Sequence, residues 1–185
     1  MTFRLGRVKL VISFWFTAVL TLLLTLAPRI PAAESFLFCI LHELGHLSAM
    51  ALLGQRPSEI ELGYFGMKII APPELTSQRS DFLVALAGPL MNFIAAAVCF
   101  FLGRNDYMSI NLALAIFNLL PVGVLDGGRA LKCVIGESFA LRKIEIAAAS
   151  VMIVLGVIQA VFSRGNFTLL IVSLYLAIGA VTTKP

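Results

Sequence analysis

The sequence predicts an all-α polytopic membrane protein: about six transmembrane helices with a small membrane-edge β-hairpin after the second. Three observations carry this. Only 13% of the 185 residues are charged and 59% are hydrophobic, whereas a soluble domain carries about 25% charged residues to coat its surface. The mean hydropathy is +0.97, and the apolar residues fall in long runs separated by short polar stretches. Six spans at about 20 residues each need about 120 residues, which leaves no room for a separate soluble domain. A single transmembrane domain over residues 1–185 follows, and any chemistry belongs inside or at the edge of the bilayer. The net charge of +4 reads as an orientation signal, and no nucleic-acid partner is expected.

The elements follow in order. Val8 to about Ala27 is the first helix, because the run from Leu10 to Ala27 has no charge and exceeds the 7–15 residues of a signal-peptide core. The second helix, about Glu34 to Leu53, holds both histidines of the protein. Residues 55–80 hold most of the soluble-looking sequence. Within them Ile60, Leu62 and Tyr64 alternate with Glu59, Glu61 and Gly63, a period of two that a helix does not show. Gly66 then permits a turn before Met67, Ile69 and Ile70, so residues 58–71 form the predicted hairpin. Further helices cover about Asp81–Leu102, Tyr107–Leu120, Ile144–Phe162 and Phe167–Val181, with a short amphipathic piece after the Gly127-Gly128 pair. Cys39, Cys99 and Cys133 lack metal-site spacing and read as small buried hydrophobes without a disulfide.

Six spans put both termini on one side. Eleven of the 14 Lys and Arg residues then share that side, and only Arg29, Arg104 and Arg164 lie opposite, which places both termini in the cytoplasm.

The second helix reads His42-Glu43-Leu44-Gly45-His46. Positions i and i+4 share one helical face, so both imidazoles reach one metal ion, zinc in catalytic sites of this pattern, and Glu43 stands beside it to move a proton. With two histidines and seven glutamates available, chance gives this spacing about 4 times in 10,000. Ionisable groups at membrane depth cost about 2.5–3.5 kcal/mol each, so three on one turn call for a function. A tetrahedral catalytic site takes a third protein ligand. No histidine remains, and Asp126 is the carboxylate at matching depth, after a backbone broken by Pro121 and loosened by Gly127 and Gly128. On spacing alone, capping of the short helix that starts near Gly127 explains Asp126 equally well.

HELGH at 42–46, followed by Asn118-Leu-Leu-Pro121-Val-Gly-Val-Leu125-Asp126-Gly127-Gly128, resembles the site-2 protease family of intramembrane zinc metalloproteases. The pattern N-x-x-P-x-x-x-L-D-G is matched at every specified position, and Ala87-Gly88-Pro89-Leu90-Met91-Asn92 is similar to the family's G-x-x-x-N element. The resemblance covers about residues 36–136. It implies that Asp126 is the third zinc ligand, and it favours substrate contact over interhelical hydrogen bonding for Asn92 and Asn118. It also favours a hairpin at Ile60, Leu62, Tyr64 and Gly66 that holds a substrate strand by β-augmentation.

With six helices, a Tyr-Phe-Gly loop and a short N-terminus, the chain is most similar to the subgroup that processes a sporulation sigma factor. It has no PDZ or CBS domain. The implied function is a zinc endopeptidase, one zinc per chain, that cuts a membrane protein substrate in or next to a transmembrane helix. Its implied place is the bacterial cytoplasmic membrane, with the active site towards the cytoplasm. The alternatives are a zinc transporter, which would need ligands at several depths, and an inactive membrane scaffold, which would not need to keep His42, Glu43, His46 and Asp126.

Overall fold

The computed structural model describes residues 2–5, 8–12, 31–63, 66–70, 77–162 and 167–182. The chain falls into two compact units, residues 1–115 and 116–185.

The first unit opens with strands β1 (Thr2–Leu5) and β2 (Val8–Ile12), then helix α1 (Pro31–Leu52), strands β3 (Glu59–Gly63) and β4 (Gly66–Ile70) and helix α2 (Gln78–Phe101). Helix α3 (Asn105–Asn118) begins in this unit and ends in the second. The expectation of a helix from Val8 is corrected: residues 8–12 are a strand, and the rest of that predicted helix lies outside the described residues. Lys9 explains the switch. It puts a charge inside the apolar run, its backbone donates to the Ser58 carbonyl at 2.9 Å, and its ammonium pairs with Glu59 at 3.1 Å. Such a half-exposed pair is worth at most about 1 kcal/mol, so it sets register more than stability.

The four strands form one sheet in the order β1-β2-β3-β4. β2 and β3 are parallel, with Lys9 opposite Glu59 and Ile12 opposite Leu62. A parallel pair needs a long crossover, and α1 lies within it. β3 and β4 are antiparallel, from Glu59↔Ile70 to Gly63↔Gly66; Tyr64 and Phe65 between them lie outside the described residues. Strand residues alternate between faces, so the register puts Phe3, Leu10, Ile60 and Ile69 in one row and Arg4, Lys9 and Glu59 on the opposite face.

α1 ends where Gly54 takes a left-handed φ of 72° and Gln55 N donates to the Met50 carbonyl at 2.9 Å. Gln55 is buried, and its Nε2 donates to Ser80 Oγ at 2.9 Å and Asp81 Oδ1 at 3.3 Å in the first turn of α2. Ser77 caps α2 in a reciprocal box with Ser80, so two orphan helix donors find partners. Farther along, α1 and α2 approach closely. A β-carbon on Gly45 would lie 2.6 Å from the Ala87 carbonyl oxygen, the small-residue contact typical of membrane helices.

In the second unit a short loop leads to α4 (Asp126–Ile135), α5 (Phe139–Phe162) and α6 (Thr168–Thr182). Val122, Leu125 and Leu176 form its core, with Phe117, Leu120, Val124, Ala148 and Val172 against them. Ser173 ties α6 to α5 by donating to the Met152 carbonyl at 3.0 Å.

Among the described residues, three helical segments are long and apolar enough to cross a membrane: Glu34–Leu52, Gln78–Phe101 and Phe139–Phe162. Leu169–Ile178 is apolar but shorter, and α3 has 14 residues. Large apolar residues such as Leu37, Leu90, Ile94, Val154 and Ile171 are exposed on these helices, as lipid-facing surfaces require. No disulfide joins the three cysteines, but Cys39 is exposed and Cys99 and Cys133 are intermediate. The expectation of three buried thiols is therefore corrected, because Cys39 falls on the outward stripe of α1.

Candidate metal centre

His42 and His46 stand one turn apart on α1 and are both buried, at 6% and 4% exposure. Their Nε2 atoms face each other at 3.2 Å. His46 Nδ1 is 2.7 Å from the Val84 carbonyl oxygen on α2. A carbonyl only accepts, so Nδ1 carries the proton and Nε2 of His46 keeps its lone pair. That is the outer contact a metal-binding imidazole normally makes.

The space in front of the pair exists because residue 88 is glycine. A β-carbon there would lie 2.7 Å from His42 Nε2 and closer still to His46 Nε2. Two nitrogens each about 2.05 Å from a tetrahedral zinc would be about 3.3 Å apart, so the observed 3.2 Å fits that edge. Glu43 lies between the histidines in sequence and is half-buried.

Asp126 is the first residue of α4 and is buried at 7% exposure. Leu125, with extended backbone at φ −100° and ψ 163°, is the N-cap and makes no side-chain cap hydrogen bond. Asp126 is thus the first helical residue of α4 and not its N-cap. Arg129 Nη1 lies 3.6 Å from Asp126 Oδ1, but half of that guanidinium side chain is exposed, so it compensates a buried carboxylate only weakly.

The loop before Asp126 is tight, with Val122 N donating to the Leu120 carbonyl and Leu125 N to the Val122 carbonyl, each at 2.8 Å. Gly127 and Gly128 serve it by their lack of a side chain rather than by unusual dihedrals. A β-carbon on Gly127 would overlap the Leu119 carbonyl, and one on Gly128 the Val122 carbonyl.

The other predicted site residues are spread more widely. Asn92, on α2 one turn beyond Gly88, has no exposure, and among the described residues neither its Oδ1 nor its Nδ2 has a hydrogen-bond partner. Asn118 ends α3 and is half-buried. Ile60 and Leu62 lie on β3, Gly66 opens β4, and Tyr64 is outside the described residues. β3 is paired on both sides, with β2 and with β4, so it offers no open edge along its paired length; among the described residues the free edge on this side of the sheet is β4.

The sequence reading missed Asn111 on α3, also without exposure, and the Val84 carbonyl. A lone asparagine on an apolar helix carries no pattern, and a backbone acceptor has no residue signature at all.

Apolar helices that carry a buried, converging histidine pair define a membrane metalloprotein. His42 and His46 offer two buried imidazoles and Asp126, in the second unit, a buried carboxylate, donor types that are consistent with zinc.

The model of peptidase family M50 matches residues 106–159. Zinc metalloprotease MJ0392 of Methanocaldococcus jannaschii is 29% identical over 159 residues, covering 78% of this chain and 46% of that protein. A Synechocystis sp. protein named for zinc metalloprotease activity, sll0528, is 31% identical over 120 residues, 58% of this chain and 32% of its own length. This chain thus spans less than half the length of either curated relative. The solved site-2 protease from Methanocaldococcus jannaschii shares the fold, with a TM-score of 0.65 at 24% identity over 98% of this chain and 93% of that one. Residues 106–159 are thus similar to peptidase family M50, and both curated relatives carry the name zinc metalloprotease.

Proposed function

We propose that this chain is an intramembrane zinc endopeptidase that hydrolyses a peptide bond in or next to a transmembrane segment of a membrane protein. The observation that carries the reading is the pair of buried Nε2 atoms 3.2 Å apart on a helix apolar enough to span, with Glu43 between them in sequence. His42, His46 and Asp126 would hold one zinc ion per chain. Zinc in such a site supplies Lewis acidity, which polarises a carbonyl and acidifies water. Glu43 takes a proton from the attacking water and passes it to the leaving amide nitrogen.

The two open polar atoms of Asn92 match the carbonyl and N–H of a peptide unit, and Asn118 adds a second carboxamide. A helical substrate hides its carbonyls in i to i+4 bonds and must unwind to be cut. The open edge of β4, starting at Gly66, replaces the lost bonds by strand addition, while Ile60 and Leu62 on β3 hold β4 in register. Within the family we place the chain with the subgroup that processes a sporulation sigma factor, on the Tyr-Phe-Gly sequence at 64–66 that follows the histidine helix. The bilayer is the bacterial cytoplasmic membrane, and the charge split puts both termini and the site towards the cytoplasm.

A zinc transporter is not favoured, because the sequence has only these two histidines and offers no ladder of ligands through the membrane. The test is cleavage of a membrane protein substrate by purified protein, with and without chelator, beside Glu43→Gln. Chelator-sensitive cleavage absent from Glu43→Gln is expected; cleavage that survives both treatments contradicts the proposal.

A further inference from the structure

The starting observation is an orphaned acceptor on α3. Asn111 has no exposure, and its Nδ2 donates to the Tyr107 carbonyl at 2.9 Å. That bond fixes the orientation of the amide, because a carbonyl can only accept. Its Oδ1 is left buried without a hydrogen-bond partner among the described residues, and such a group is costly unless a donor reaches it.

The neighbouring contacts say where a donor lies. Tyr107 OH donates to Glu34 Oε1 at 2.5 Å, and its ring meets Phe38 edge-on at 5.8 Å, so the first turn of α3 rests on the first turns of α1. Residues four apart share a helical face. One turn past Tyr107 on α3 comes Asn111, then Ala115, which also has no exposure. One turn past Phe38 on α1 comes His42. On this face of α1, Glu34 is already an acceptor and Phe38 is apolar. His42 is thus the first residue there with a side-chain N–H. Its Nε2 faces Nε2 of His46, so when both Nε2 lone pairs are given to one metal ion, Nδ1 is the ring nitrogen of His42 that carries the proton.

From this we infer that Asn111 is a positioning residue, the outer acceptor that takes the Nδ1–H of His42 as the Val84 carbonyl takes that of His46. The inference rests on the zinc reading given above. Asn92 is a poorer match for the role, because it has a donor and an acceptor both open, the signature of a site for a peptide unit. Asn111 has one acceptor open, the complement of a single imidazole N–H. The contact would hold the His42 ring in the tautomer and orientation that direct Nε2 into the gap left by Gly88. Outer partners of this kind are worth about 10- to 100-fold in metal affinity.

The test is zinc affinity in detergent, measured by competition with a chelator of known strength, for wild type, Asn111→Leu, Asn111→Ala, Asn111→Asp and Asn92→Leu. Melting and size-exclusion profiles confirm that each variant is folded. Asn111→Leu and Asn111→Ala should each bind about 10- to 100-fold more weakly. Asn111→Asp, which keeps an acceptor oxygen, should recover most of the loss, and Asn92→Leu should bind like wild type. In the zinc-loaded protein the His42 Nδ1 proton should exchange slowly in wild type and quickly in Asn111→Leu. Unchanged affinity in folded Asn111→Leu and Asn111→Ala overturns the inference, as does a loss confined to Asn92→Leu; either result leaves the zinc site standing. A wild-type chain that takes up no zinc overturns the zinc reading itself, and this inference with it.

Discussion

His46 donates its Nδ1 proton to the Val84 carbonyl across 2.7 Å, and that bond decides which nitrogen is left for chemistry. With Nδ1 committed to α2, the lone pair of Nε2 points into the gap facing Gly88 and His42. The helix-helix contact and the metal-binding geometry are thus one arrangement. Val84 supplies the outer acceptor, and Gly88, one turn later on α2, supplies the space.

Gly88→Ala tests that coupling. The added methyl would overlap both imidazoles and must push at least one aside. The variant should fold, because the clash is with side-chain tips, yet bind zinc at least about 10-fold more weakly, as disturbed metal-site geometry does. Wild-type zinc affinity in folded Gly88→Ala would mean that the gap is not where the metal sits.

Glu43→Gln preserves the shape of the residue and removes its ability to take a proton. It should retain zinc while cleavage falls about 100- to 10,000-fold, the range of a general base. An active, zinc-loaded Gln variant would assign the proton transfer to another group.

Much of this site is legible in the sequence because its spacing is local. His42 and His46 four apart on a helix must share a face whatever surrounds them. The sheet is not legible in that way. Val8–Ile12 joins directly onto a long apolar run, and its parallel partner β3 lies 50 residues away, at Lys9↔Glu59. That pairing occupies the far side of β3, so that of the two hairpin strands over residues 58–71 only β4 keeps an open edge among the described residues. Gly127 and Gly128 stand out as glycines, but only the folded loop shows that the Leu119 and Val122 carbonyls occupy the space a side chain would need.

Strand addition at β4 is tested by proline. Met67 and Lys68 are consecutive on β4, so their N–H groups point in opposite directions, one to β3 and one to the open edge. At least one of Met67→Pro and Lys68→Pro should slow cleavage while zinc content and expression stay normal. Wild-type rates in both would remove β4 as the substrate edge.

The orientation is tested by reporters. Fusions after Lys184 should read cytoplasmic, and tags beside Arg104 or Arg164 should read external, as the charge split requires. The reverse pattern would put the site near the opposite face and change which end of a substrate helix it meets.

The most direct measurement of the central claim is elemental zinc in purified protein, wild type beside His42→Ala and His46→Ala. Wild type should hold about one zinc per chain, the stoichiometry of a single three-ligand site, and either alanine variant should lose most of it. Full occupancy in both variants would contradict the account, because the metal would then not be held by the histidine pair on α1.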